Sequence, residues 1–109
     1  MITEILEPTI DAAYSQQFST RGGSFNITCI GLATDETATL RFYDAVSSTW
    51  NDLQRHGQPY ALMSAGENNI NVVLENGRYC MYKTASASAV GIGIDSQPFS
   101  VIFNGQVGA

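Results

Sequence analysis

The sequence predicts an all-β chain, an antiparallel β-sandwich of jelly-roll or other Greek-key topology. Between residues 24 and 94, short runs of alternating apolar and polar residues are broken at close intervals by clusters of small turn residues, which is the rhythm of a sheet protein. No comparable stretch has the three-to-four residue spacing of an amphipathic helix. A length of 109 residues allows one domain with one core. The chain therefore reads as a single unit, 1–109, with 1–20 as an arm.

In the arm, Ile2, Ile5, Leu6, Ile10, Tyr14 and Phe18 are apolar, and Pro8 interrupts them. Ile2, Leu6 and Ile10 have a spacing that suits a helix as well as a strand, so the sequence leaves the arm's conformation open. Two readings stand side by side: the arm docks on a neighbouring protein, or it covers one end of its own sandwich.

The first strand of the core zone, 24–32, places Phe25, Ile27 and Cys29 on one face and Asn26 and Thr28 on the other. Ile30 and Leu32 reverse that parity, which implies a bulge or a strand covered on both faces. In 37–43, Ala38, Leu40 and Phe42 point inward against Thr39, Arg41 and Tyr43. Residues 44–50 form a hairpin connection into a strand at 49–53, and a short strand follows at 60–63. Ile70, Val72 and Leu74 supply the inward face of 69–74. Asn76-Gly77 then predicts a hairpin turn, since this pair accepts the positive φ values tight hairpins require, leading into 78–84. Strand 89–94 comes next, and 98–103, with Phe99, Val101 and Phe103 inward, closes the fold before a frayed tail from Gly105.

Composition narrows the function. The net charge is −5, and the five cations, Arg21, Arg41, Arg55, Arg78 and Lys83, are scattered singly. A nucleic-acid partner requires cations clustered on one face to release counterions, and an anionic membrane surface also attracts through basic residues. Neither is expected. No apolar run approaches the roughly 18 residues of a membrane span, and the first residues carry acids where a signal peptide has bases, so no secretory route is expected. Cys29 and Cys80 then read as two free thiols. Trp50 between them invites comparison with immunoglobulin domains, but the spacing of Trp50 and the Arg at position 78 depart from that pattern.

The chemistry-bearing residues are sparse. The single histidine, His56, lies in a polar loop-like segment with no metal-ligand spacing around it. Asp35, Glu36, Asp44, Asp52, Glu67 and Glu75 fall at predicted strand ends or turns, where acids are solvated, and the alternating acids of a calcium loop are missing. No nucleophile elbow is present, and Gly22-Gly23 and Gly91/Gly93 lack the lysine and helix start of a phosphate cradle. The expectation is a chain that is not an enzyme, with no catalytic residues, metal or cofactor. Trp50 and Tyr60, with Tyr79 and Tyr82, offer an alternative ligand platform for stacking on a carbohydrate ring.

Residues 38–53, followed by Glu75-Asn76-Gly77-Arg78-Tyr79 and the Ser/Ala-rich run to Ile94, carry a resemblance. This half of the chain resembles small β-sandwich virion proteins of tailed bacteriophages, of the head decoration (cement or staple) type. It departs from their commoner form in having Asp44-Ala45-Val46-Ser47-Ser48 where they show an Asp-Gly-Gly turn. The resemblance implies a virion structural protein, made in the host cytoplasm and placed on the capsid exterior. It implies binding to the major capsid protein in many copies, as a homo-oligomer, dimer or trimer, with the arm residues Ile2, Ile5, Leu6, Ile10 and Tyr14 as docking candidates. The competing class is a carbohydrate- or receptor-binding module of a tail fibre or baseplate, using Trp50 and Tyr60.

Overall fold

Alternation of branched or aromatic residues with polar ones puts one face of each run against a core, and the backbone satisfies its hydrogen bonds across neighbouring strands. The structure, a computed structural model, describes residues 2–55, 57–60, 62–65, 69–95 and 101–106. Among them are eleven strands and no helix: β1 (Ile2–Thr9), β2 (Ala13–Tyr14), β3 (Gln16–Cys29), β4 (Ala38–Asp44), β5 (Thr49–Asp52), β6 (Gln54–Arg55), β7 (Gln58–Pro59), β8 (Leu62–Met63), β9 (Asn69–Lys83), β10 (Val90–Asp95) and β11 (Val101–Gln106). The fold is an all-β antiparallel sandwich. The main path of pairing is β1-β10-β3-β9-β4-β5, with β11 on β3, β2 on β9 and β8 on β4.

Two long strands organise it. β3 and β9 pair from Phe18↔Tyr79 to Thr28↔Asn69. Asp95 pairs with Asn26 and Val101 with Thr20, so β10 and β11 follow one edge of β3 in a common register. This broad ribbon is bent near its middle, where Gly22 and Gly23 take φ values of 122° and 139°, conformations that side-chain-bearing L residues rarely adopt. On one side of the bend Phe25, Ile27 and Cys29 of β3 and Val72 and Leu74 of β9 are buried. On the other side Phe18 and Thr20 of β3 and Tyr79, Met81 and Lys83 of β9 are buried. The inward face thus changes parity on both strands without a shift in register, and each half of the ribbon closes over the other. Ile5, Leu6, Val90, Ile92 and Ile94 complete one half, Ala38, Leu40 and Met63 the other, in a single buried cluster.

Several expectations are corrected by this arrangement. Asn76-Gly77 is not a hairpin turn: it lies inside β9, and Gly77 pairs directly with Thr20 of β3. The local turn signal is overridden because a continuous partner strand occupies that edge. Residues 2–20, for which docking on a neighbour and covering their own sandwich both stood open, lie along the sandwich as strands. β1 is hydrogen-bonded to β10 from Ile2↔Asp95 to Thr9↔Val90, Ile5 and Leu6 are buried in the core, and among Ile5, Leu6, Ile10, Tyr14 and Phe18 only Ile10 is strongly exposed, at 55%. Gly105 and Gln106, read as tail, pair with Gln17 and Gln16. β3 ends at Cys29, so the parity reversal at Ile30 and Leu32 lies beyond the strand. Glu75, read as a turn acid, is an exposed mid-strand residue. His56, Glu67 and Phe99 lie outside the described residues.

The predicted hairpin at 44–50 is present, with Asp44 paired to Thr49. Asp44 accepts hydrogen bonds from the Val46 backbone N–H at 2.9 Å and from Ser47 Oγ at 3.0 Å, the side-chain mimicry of a turn available to aspartate. The Val46 N–H, and then the Ser47 hydroxyl, hold the Asp44 carboxyl below its ordinary value. The hairpin tip leaves Val46 97% exposed.

Candidate functional site: an aromatic and arginine face

Because Leu40, Met81 and Lys83 point inward, their neighbours Arg41, Cys80 and Tyr82 point outward, and cross-strand pairing extends this face sideways. Tyr14 of β2 pairs with Tyr82. Arg41 pairs with Cys80 on one side and Asp52 on the other, and Tyr43 pairs with Trp50. Arg78 is the next outward residue of β9. The outer face of this half therefore gathers three tyrosines, the one tryptophan and two arginines.

The contacts on this face are specific. Arg41 Nη1 donates to Tyr14 Oη at 2.6 Å, and its Nε donates to Asp52 Oδ1 at 2.9 Å. Its guanidinium carbon lies 4.6 Å from the Tyr82 ring centroid and 5.4 Å from that of Tyr14, within cation–π range. Tyr14 and Tyr82 approach at 4.8 Å between centroids. Beside this stack, Tyr43 and Trp50 meet edge to face at 5.3 Å, and Arg78 places its guanidinium 4.8 Å from the Tyr43 centroid. Beneath the stack Cys80 is fully buried, and desolvation pushes its thiol up to about 12 against a weaker opposing pull from Arg41. Such a thiol is unreactive at neutral pH.

Two further features stand apart from this face. Gly91 and Gly93, outward-facing on β10, floor a groove of about 410 Å³ with Glu4, Pro8, Thr28 and Ile30 along it. At the end of the sandwich where β9 finishes, Lys83 is buried and donates from Nζ to the carbonyls of Asp11 at 2.8 Å and Thr84 at 2.9 Å. Burial lowers its pKa, opposed by Cys29 first, then Glu36 and Asp11. Glu36 ties the adjoining loops together by accepting from the backbone N–H groups of Ala33 and Ala87 at 2.8 and 2.9 Å, and these bonds lower its pKa. The arrangement is a polar plug that pairs loop backbone groups.

The residues predicted from sequence are distributed unevenly. Trp50 and Tyr60 are not brought together: Trp50 is on the outer face, while Tyr60 packs against the core and its hydroxyl accepts from the Val73 N–H at 2.9 Å. Tyr79 is buried and donates to the Glu75 carbonyl at 2.8 Å. Of the arm, Tyr14 alone joins the aromatic face, and Ile5 and Leu6 belong to the core. Cys29 and Cys80 are both buried free thiols. Arg41, Tyr43, Asp52 and Arg78 were not singled out as a site from the sequence. The available signal was the outward triplet Thr39, Arg41, Tyr43, read together with the hairpin that sets Tyr43 opposite Trp50. Among the described residues no group of three or more His, Cys, Asp or Glu side chains could hold a metal, and no helix is long and apolar enough to cross a membrane. Compared with known proteins, the chain matches no family model, no curated protein and no solved structure.

Proposed function

We propose that this chain is a non-enzymatic virion structural protein, a capsid decoration or cement protein that binds the outer surface of a bacteriophage head. The observation that carries this reading is the face built from Tyr14, Arg41, Tyr43, Trp50, Arg78 and Tyr82, whose ring and guanidinium contacts hold the side chains in place before any partner arrives. Tyr, Trp and Arg are the residues that dominate binding energy at protein interfaces, and a pre-ordered set loses less side-chain entropy on docking. The sequence resemblance to small virion proteins points the same way. The partner in this reading is the major capsid protein. A protein that binds only the assembled shell stabilises it by mass action, as any state-selective ligand does.

A glycan- or receptor-binding tip module is the second reading. Trp50, half-buried on the short strand β5, favours it, but Tyr60, its expected companion, is packed away from that face. The test is the copy number of this chain against the major coat protein in gradient-purified particles. Near-stoichiometric copies that detach under mild denaturant before the shell fails support decoration. A handful of copies per particle favours the tip module, and none at all would overturn the virion reading.

A further inference from the structure

We propose that the aromatic and arginine face recognises a partner protein through a carboxylate, with Arg78 as the anchor and Tyr43 and Trp50 as its walls. This rests on the reading of that face as a docking surface and adds the chemistry of what it docks.

The two arginines of the face do different work. Arg41 is committed within the fold: Nε to Asp52, Nη1 to Tyr14, and its guanidinium against the rings of Tyr14 and Tyr82. Arg78 is exposed; its backbone pairs with Ser19 of β3, and its guanidinium meets the Tyr43 ring at 4.8 Å. A ring against a guanidinium orients it without using its N–H donors, which remain aimed along the plane of the group. A carboxylate matches that fork with two parallel hydrogen bonds.

Charge separation across the molecule points to the same partner. The chain carries −5 overall, yet among the described residues Arg41 and Arg78 stand on this face with the acid Asp52, which Arg41 already neutralises. The outer face of the other half carries Glu4 beside Ser24, Asn26 and Thr28. An acidic segment is therefore drawn to the Arg78 side and repelled from the other. Tyr43 and Trp50, in edge-to-face contact, exclude water beside the ion pair and strengthen it. The occupant is an Asp- or Glu-bearing segment of another protein; a neutral glycan and a second copy of this chain are the alternatives the test separates.

Trp50 is the only tryptophan in the sequence, so its fluorescence reports on this face alone. The probe is a blocked hexapeptide of alternating Gly and Glu, compared with its Gly and Gln counterpart, titrated into the full chain at low and at physiological salt. The expected result is a saturable change in Trp50 emission with the Glu peptide alone, weakened by salt. Arg78→Gln should weaken it about tenfold, and Arg78→Lys by less. Arg78 is exposed, and far-UV circular dichroism checks that its variants fold. Equal responses to the two peptides, an unchanged affinity in Arg78→Gln, or tighter binding of a neutral maltohexaose would overturn the proposal. So would self-association in sedimentation that Arg78→Gln abolishes. The copy number on particles is read separately. Decorated particles with no peptide response discard the carboxylate anchor and leave decoration standing, and the reverse result discards decoration and leaves the anchor.

Discussion

Phe18 and Phe25 lie seven residues apart on one unbroken strand, an odd spacing that should set them on opposite faces, yet both are buried in the same core. The bend at Gly22-Gly23 reconciles the two. It turns the β3–β9 ribbon so that one face is inside before the bend and the other after it, while the pairing from Phe18↔Tyr79 to Phe25↔Val72 keeps a single register. A sandwich is thereby made from one folded ribbon.

The bend should be intolerant of side chains. Gly22→Ala and Gly23→Ala place a Cβ on backbones with φ of 122° and 139°, and each is expected to lower unfolding stability by at least about 1 kcal/mol in urea titration. Ser24→Ala, the adjacent exposed position, should stay within about 0.5 kcal/mol. Comparable losses at all three positions would show that the bend is not strained by a Cβ.

At Gly91 the constraint is space. A Cβ there would lie 2.9 Å from the Leu6 carbonyl oxygen and 3.1 Å from the Pro8 nitrogen, both backbone atoms that cannot rotate away. Gly91→Ala should therefore cost about 1–3 kcal/mol and loosen β1 from β10. Hydrogen exchange of the β1 amides, measured against those of β4 as an internal reference, should accelerate selectively.

Cys80 and Lys83 predict opposite trends at alkaline pH. The Cys80 thiol, raised by burial from 9.0 to about 12, stays protonated in the native state while the unfolded chain loses that proton. Its contribution is fully present below pH 9 and lost as pH rises toward 12, with a slope of up to about 1.4 kcal/mol per pH unit. Burial lowers Lys83 below its ordinary 10.5, so above its native pKa the unfolded state holds more protons and stability rises toward pH 10.5. Relative to the native chain, Cys80→Ala should make the slope of stability against pH between 9 and 10 more positive, and Lys83→Met more negative. Urea titrations at pH 8, 9 and 10 read both, and slopes shifted in the opposite senses would refute the burial argument.

Arg41 should matter more than its ion pair. The Asp52 side chain is 39% exposed, so Asp52→Asn should cost less than about 1 kcal/mol. Arg41→Lys keeps the charge and loses the planar stack and the forked donors, and should cost about 1–2 kcal/mol. If the two substitutions prove equal in denaturant midpoint, the stacking against Tyr14 and Tyr82 contributes nothing measurable.

The parts legible in the sequence were those with local causes. Phe25, Ile27 and Cys29 against Asn26 and Thr28, and Ala38, Leu40 and Phe42 against Arg41 and Tyr43, follow from the two-residue period of a strand, and the structure places them accordingly. The hairpin after β4 follows from Asp44, whose own side chain closes the turn. The aromatic face was legible only in fragments, through Trp50 and through Tyr43 as an outward residue. Its key neighbours come from β2 and β9, and no spacing along the chain announces that Tyr14 will lie against Tyr82.

The sequence by itself determined the all-β class, the inward faces of the shorter strands and the sparse charge, because alternation, turn chemistry and composition act over a few residues. Tertiary structure alone decided that Asn76-Gly77 runs straight through a strand, that Ile5 and Leu6 complete the core, and that Tyr14, Arg41 and Tyr82 form one stack. Those outcomes depend on which distant strand supplies the hydrogen-bond partners and the opposing apolar surface. A turn signal of about 1 kcal/mol yields when a long ladder of paired backbone groups and a buried core run through the same residues.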